Sequence, residues 1–278
     1  MPAEGQTQAE HNTLRRAFEF MDRVGHATIE GISAFGYGAA LFFESIYWVV
    51  VGQKRHQPVR IPMVFQEMMQ VGIMALPIVT ILSLTIGIML AIQGIHTLKL
   101  FGAESRVTIG IALSITREFA PLITGILVAG RSGSALAARL GTMNINQEID
   151  ALRVMGINPV RFLVAPPLIA MLIMLPALTF WSDLVALFGA GVYVSLDLGI
   201  SLVAYTDRVI DVLKVDDLMH GLSKSVIFAG LITLVGVVNG ARVTGGAEGL
   251  GRATTTSVVQ AITAIVITDM LFVFVVTR

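Results

Sequence analysis

The sequence predicts an all-α integral membrane protein, a bundle of about five membrane-spanning helices. Three observations predict it. Of the 278 residues, 55% are hydrophobic and only 14% charged, against roughly 25% charged in soluble domains, and the mean hydropathy is +0.79. Five long stretches are almost free of charge, and a hydrocarbon core of about 30 Å needs about 20 apolar residues to cross as a helix. Backbone groups in lipid must bond within the chain, which leaves helices or closed barrels. The sequence lacks the alternating segments of about ten residues that a barrel requires.

The chain opens on a polar segment, MPAEGQTQAEHN, without the basic start and apolar run of a signal peptide. Leu14, Phe18, Met21, Val24 and Ile29 then recur at helical spacing, with Arg15, Arg16, Glu19, Asp22 and Arg23 on the other face. This pattern suits an amphipathic helix, lying in the membrane interface or packed on protein. Residues 32–53 are long enough to cross and hold one charge, Glu44. Arg15, Arg16 and Arg23 precede them, and Lys54, Arg55 and Arg60 follow. Basic flanks favour the cytoplasm, so both ends belong on one side and the segment reads as a re-entrant or in-plane element. Residues 1–60 thus form a cytoplasmic and interfacial region ahead of a five-span domain over 61–278.

The spans read as Val71 to Leu98, Val107 to Gly130, Phe162 to Ser182, Ser225 to Ala241 and Ala253 to Val276. Arg117-Glu118 interrupts the second, Asp183 separates the third from a further apolar run to Leu196, and the fifth holds only Asp269. With the N-terminus inside, twelve basic residues fall on the cytoplasmic side and five in the outer loops, the expected bias. The loop from Arg131 to Arg161 is then cytoplasmic and the C-terminus lies outside. Gly236 and Gly240 form a GxxxG, and small residues cluster from Gly130 to Ala138 at the end of the second span. Such positions let helix backbones approach closely.

Basic and acidic residues cancel at nineteen each, so no global field draws the protein to nucleic acid. There is no cysteine, which excludes disulfides and thiolate metal sites. His11, His26, His56, His96 and His220 are scattered without metal-ligand spacing. No catalytic or metal-binding set is expected. Gly246 to Thr254, GAEGLGRAT, has Arg252 and Ala253 where a phosphate loop needs lysine and a hydroxyl. No strand pattern precedes it, so it reads as a flexible cytoplasmic loop, and the chain does not hydrolyse ATP by itself.

Four features could carry function. In Asn144 to Gly156, Ile145, Ile149, Leu152 and Met155 share one helical face, with Glu148, Asp150 and Arg153 around the other. Gly156 and Pro159 are stop signals. This short helix outside the membrane could be a lever for a separate motor or a plain connector. Arg117 and Glu118 lie deep in an apolar stretch, where charges facing lipid cost several kcal/mol. Adjacent helical residues point about 100° apart, so they face different neighbours: a cavity, a subunit interface or another helix. Lys224, at the outer start of the fourth span, could attract a lipid phosphate or snorkel to the headgroups, and position favours snorkelling. Asp183 and Asp269 are acids of the kind a proton relay uses.

The run from Arg117 to Met143, REFAPLITGILVAGRSGSALAARLGTM, resembles the MlaE permease family of lipid-asymmetry ABC transporters. Gln147 to Arg161, QEIDALRVMGINPVR, resembles that family's cytoplasmic coupling segment, and Lys224 to Phe228, Asn239-Gly240 and Gly251 to Thr255 match in order. The likeness runs from about residue 60 to the C-terminus. It implies a homodimer of five-span permeases in the bacterial inner membrane. Each copy would pair with a cytoplasmic ABC ATPase that binds ATP and Mg, so no cofactor belongs to this chain. The ATPase would receive the coupling helix through Glu148, Ile149, Asp150, Leu152, Arg153 and Met155. A periplasmic MCE-domain lipid-binding protein and a small STAS-type cytoplasmic subunit are the other implied partners. The implied substrate is phospholipid, in a cavity near Glu118, Lys224 and Arg117, moved to or from the MCE carrier to maintain outer-membrane asymmetry. A lipid site needs a few polar groups beside an apolar wall, and Leu76, Val79 and Leu82 of the first span supply one. Two other readings stand beside this one. A proton-coupled secondary transporter would use Glu118, Asp183 and Asp269 but should show internal repeats, and none is evident. A non-transporting scaffold would have no need of buried charges.

Overall fold

The computed structural model describes residues 25, 31, 33, 36–48, 60–103 and 106–276, and among them all regular structure is helical. The amphipathic segment from Leu14 to Ile29 lies outside the described residues apart from Gly25. Within the ambiguous stretch, residues 36–48 are helical. Glu44 there accepts a hydrogen bond from Asn158 Nδ2 at 2.9 Å, which ties this helix to the connection between the second and third spans.

Five helical stretches are long and apolar enough to cross a membrane: Ile61–Lys99, Val107–Ile145, Val160–Leu198, Val215–Ala241 and Gly246–Val276. The first comprises α1 (Ile61–Val71), a 3-10 turn and α2 (Leu76–Lys99). Pro62 and Pro77 sit in the first turns of α1 and α2, where the missing N–H has no partner to lose. The second runs through α3 (Val107–Ser114), a π-helical turn Ile115–Phe119, α4 (Ala120–Val128), a second π turn Ala129–Gly133 and α5 (Ser134–Ile145). The short α6 (Glu148–Val154) follows. A π turn, Val160–Val164, leads into α7 (Ala165–Leu198). The amphipathic α8 (Leu202–Val212) joins it to α9 (Val215–Ala241), and α10 (Gly246–Val276) closes the bundle.

Helix α7 packs against α1, α2, α4 and α9. The buried face of α2 is Val79, Ser83, Gly87, Ala91 and Ile95, one residue every four. It meets Ser182, Ala186 and Ala190 of α7, all buried, and the Ser83 and Ser182 hydroxyls bond at 2.7 Å. Small side chains at this spacing let the two backbones close up. The GxxxG works likewise: Gly236 lies against the Gly133 carbonyl and Gly240 against that of Ala137. The outer faces of α2 and α10, with Ile81, Met89, Val266 and Phe274, are exposed, as lipid-facing helices are.

The structure revises four readings. The second span does not end at Gly130; its helix continues to Ile145, so the small-residue cluster packs inside the bundle. The short helix read over 144–156 is Glu148–Val154, because Asn144 and Ile145 finish α5. Gly246 to Ala253 is not a flexible loop but the first two turns of α10. There Glu248 pairs with Arg252 one turn on, and the Thr254 and Thr255 hydroxyls bond back to the Gly251 carbonyl. Helix continuity outweighs the low propensity of the glycines. The connection between the third and fourth spans is largely α8, capped by Ser201. Its Tyr205 is buried, which pushes the phenol up to about 12, so it stays neutral at physiological pH.

Candidate functional site: a charged cluster among three spans

The deepest charge in the bundle is Lys224. It lies in the tenth position of α9 with no exposed surface, so it does not snorkel. Its ammonium is held at 2.6 Å by Glu118 and at 2.9 Å by Asp269. The Phe272 ring centre lies 5.7 Å away, within the range of a cation–π contact. The two carboxylates come from the second and fifth spans, so the fourth span's lysine joins three helices. A lysine in hydrocarbon is tolerable only with such partners.

Arg117 takes a separate partner. Its Nε donates to Asp217 Oδ1 at 2.7 Å, and Nη2 reaches the same oxygen. Asp217 is buried and also accepts from the Lys214 backbone N–H at 2.9 Å, capping α9. Asp217 and Lys224 are seven residues apart, two turns along one face of α9. Between them is Gly221, where a Cβ would stand 2.2 Å from the Thr116 carbonyl oxygen. Only glycine lets α9 lie this close to the π turn. The π turn places the consecutive Arg117 and Glu118 so that both reach α9. Such turns occur mostly as single-turn bulges inside α-helices and are frequent at functional sites. His220 stacks edge-on to Phe272 at 5.0 Å.

The cluster is open on one side. The side chains of Glu118 and Arg117 are 36% and 46% exposed, whereas those of Lys224, Asp217 and Asp269 are 0%, 4% and 14% exposed. An anchored interior thus presents a neighbouring carboxylate and guanidinium outward. Of the residues singled out from sequence, the structure brings together Arg117, Glu118, Lys224 and Asp269. It leaves Asp183 out: that acid is buried on α7, and its Oδ1 has no hydrogen-bond partner. Val79 is buried in the core and the half-buried Leu76 packs against the same cluster. Leu82 is 37% exposed. Asp217, Gly221 and Phe272 escaped sequence reasoning. The two-turn spacing from Lys224 was the available signal for Asp217.

At the opposite end of the bundle, α6 is held by Leu152, which is buried. Gly156 follows with φ 73°, the left-handed stop expected after a helix. Asp150 and Arg153 pair at 2.8 Å with both side chains more than 60% exposed. Ile149 and Arg153 line a cavity with Tyr37, Glu44 and Asn158, which connects α6 to the 36–48 helix. Met155 is 63% exposed, so it faces outward and not into the bundle. Among the described residues, no cluster of three or more His, Asp or Glu could hold a metal ion.

The family model for permease MlaE matches residues 64–275. A probable ABC transporter permease protein of Rickettsia typhi is 30% identical over 248 residues, 89% of this chain and 94% of the relative. The intermembrane phospholipid transport system permease protein MlaE of Haemophilus influenzae is 30% identical over 87% of this chain and 91% of its own length. The chloroplastic protein trigalactosyldiacylglycerol 1 of Arabidopsis thaliana is 33% identical over 73% of this chain and 58% of its own length. The matches include both the π turn with its charges and the connection around α6, and they establish a non-enzymatic transport subunit: the chain belongs to the MlaE permease family.

Proposed function

We propose that the chain is the inner-membrane subunit of an ATP-driven phospholipid transporter that exchanges lipid with a periplasmic MCE-type carrier, helping maintain outer-membrane lipid asymmetry. The observation that carries the reading is the half-open charged cluster of Arg117, Glu118, Lys224 and Asp269 within otherwise apolar spans. Two cations face three carboxylates there once Asp217 is counted. A bare anion would meet net negative charge. A zwitterionic headgroup brings its own cation, so its phosphate can take the exposed Arg117 and its amine Glu118. Guanidinium forks suit phosphate oxygens. The tails then lie along apolar helix faces such as that of Leu82.

Work on the cluster comes from the other end. In this reading a cytoplasmic ABC ATPase, holding ATP and Mg, grips α6 through Glu148, Asp150 and Arg153, with Ile149, Leu152 and Met155 completing the contact. Two copies of the chain enclose the lipid, and a small STAS-type subunit joins the ATPase. The N-terminus is cytoplasmic and the C-terminus periplasmic. The proton-driven alternative would also need Asp183, which stands apart from the ion-paired set.

Reconstitution with the ATPase tests both halves. Arg117→Gln is expected to lower cross-linking of a photoactivatable phosphatidylethanolamine about tenfold while ATP hydrolysis persists. Arg153→Ala is expected to do the reverse: lipid still binds, but ATP no longer moves it. Unchanged cross-linking in the first variant removes the cluster from the lipid path, and unchanged transport in the second removes α6 as the lever.

A further inference from the structure

A second arginine-bearing cavity lies away from the cluster, between α1, the second π turn with α5, and the start of α7. It measures about 260 Å³, and Arg131, Arg139, Glu67, Met74, Pro167 and Met171 are among its lining. Arg139 pairs with Glu67. Arg131 donates only to the Gln70 carbonyl, at 3.2 Å, and makes no ion pair with a described residue. Two guanidiniums against one carboxylate leave a single positive charge over a wall of methionine and proline.

The depth of this cavity fits a headgroup. Arg131 lies 24 residues after Val107, about 36 Å along the helix. That exceeds the roughly 30 Å hydrocarbon core but falls within the roughly 40–45 Å that include the headgroups. The first span agrees: Gln70, whose carbonyl accepts from Arg131, lies 29 residues before Lys99, about 44 Å along the helix, and Glu67 lies one turn further out. The second-span helix continues past the cavity towards α6, so the leaflet concerned is the one on the α6 side.

We propose that this cavity binds the phosphate of a singly anionic phospholipid, such as phosphatidylglycerol, in the leaflet facing α6. Arg131 takes the phosphate oxygens, Arg139 shares them with Glu67, and an acyl chain runs past Met74 and Met171. The charge balance is opposite to that of the central cluster, where carboxylates outnumber cations, so the two sites select different headgroups. This inference extends the phospholipid reading to a second place in the fold, but its binding needs no transport cycle.

The test uses the full chain in detergent. Dioleoyl-phosphatidylglycerol is expected to raise the unfolding temperature saturably in the parent and in Arg117→Gln alike, whereas any rise with dioleoyl-phosphatidylcholine, which the central cluster can take, is lost in Arg117→Gln. Arg131→Gln should weaken that response about tenfold. Glu67→Gln, which frees Arg139, should strengthen it, an outcome that mere loss of structure cannot give. A photo-crosslinker at the exposed Ala135 should capture the lipid. Equal stabilisation of Arg117→Gln by phosphatidylcholine, an unaltered Arg131→Gln response, or capture of a second polypeptide at position 135 each overturns the site. Competition by inorganic phosphate at the same concentration shows that a free anion, not a lipid, is the ligand. Arg117→Gln should leave this response intact, so failure here and failure of the central cluster are told apart.

Discussion

The α2–α7 seam and the seam joining the second span to α9 and α10 are both buried, yet they are built from opposite materials. The first is neutral: small residues every four positions and one hydroxyl pair, Ser83 with Ser182. The second places a buried lysine between two carboxylates and an arginine beside a third. In lipid, close packing of small residues suffices to hold helices together. The charges are therefore not needed for cohesion. Their partial exposure at Glu118 and Arg117 is what the neutral seam lacks, and it is the ground on which the lipid site is proposed there.

The sharpest way to break the comparison is to remove the central cation. Lys224→Met leaves Glu118 and Asp269 facing each other without a counter-charge. Removing one partner of a buried ion pair costs about 3–5 kcal/mol, so the variant is expected to unfold far below the parent in a detergent melt. Adding Glu118→Gln and Asp269→Asn should restore much of that stability without restoring lipid transport. A triple variant that transports normally would make the cluster a structural clasp.

An intermediate effect is expected where the charged seam relies on contact. Gly221→Ala puts a methyl against the Thr116 carbonyl, and overpacking of this kind costs about 1–3 kcal/mol. The shift of α9 should separate Asp217 from Arg117 as well as Lys224 from Glu118. Transport should then fall further than the melting temperature alone accounts for. A loss of stability with full transport would show that the π turn and α9 need no fixed register.

The spans were legible because hydrocarbon imposes a length and forbids charge, and both leave marks in a single sequence. Val71 to Leu98 could be read on that ground alone. The stop at Gly156 and the inward Leu152 of α6 were legible from helical spacing. The cluster was legible only as separate residues. Nothing near Lys224 says that its partners are Glu118, 106 positions earlier, and Asp269, 45 later, because neighbouring spans are chosen by packing and not by order. Position therefore favoured a snorkelling lysine, and the structure buries it. The π turn at Ile115–Phe119 has no compositional signature either; its need shows only once Gly221 is seen against Thr116. The glycines from Gly246 to Gly251 misled in the other direction, since a helix entered from both pairing and hydroxyl back-bonding overrides their local preference.

The smallest effect should come from the neutral seam. Ser83→Ala removes one interhelical hydrogen bond and leaves the Ser182 hydroxyl free to turn to its own helix carbonyl. Hydrogen bonds between membrane helices average about 0.6 kcal/mol, so the melt should move little. Ala fits a stripe already made of Gly87 and Ala91, so α2 keeps its distance from α7. Transport should be unchanged. The contrast is thus quantitative: a buried hydroxyl pair is expected to matter less than a partly exposed charge, because only the charge has a reason to meet a substrate. If Ser83→Ala instead abolished transport with the melt intact, the α2–α7 seam would itself have to slide during the cycle.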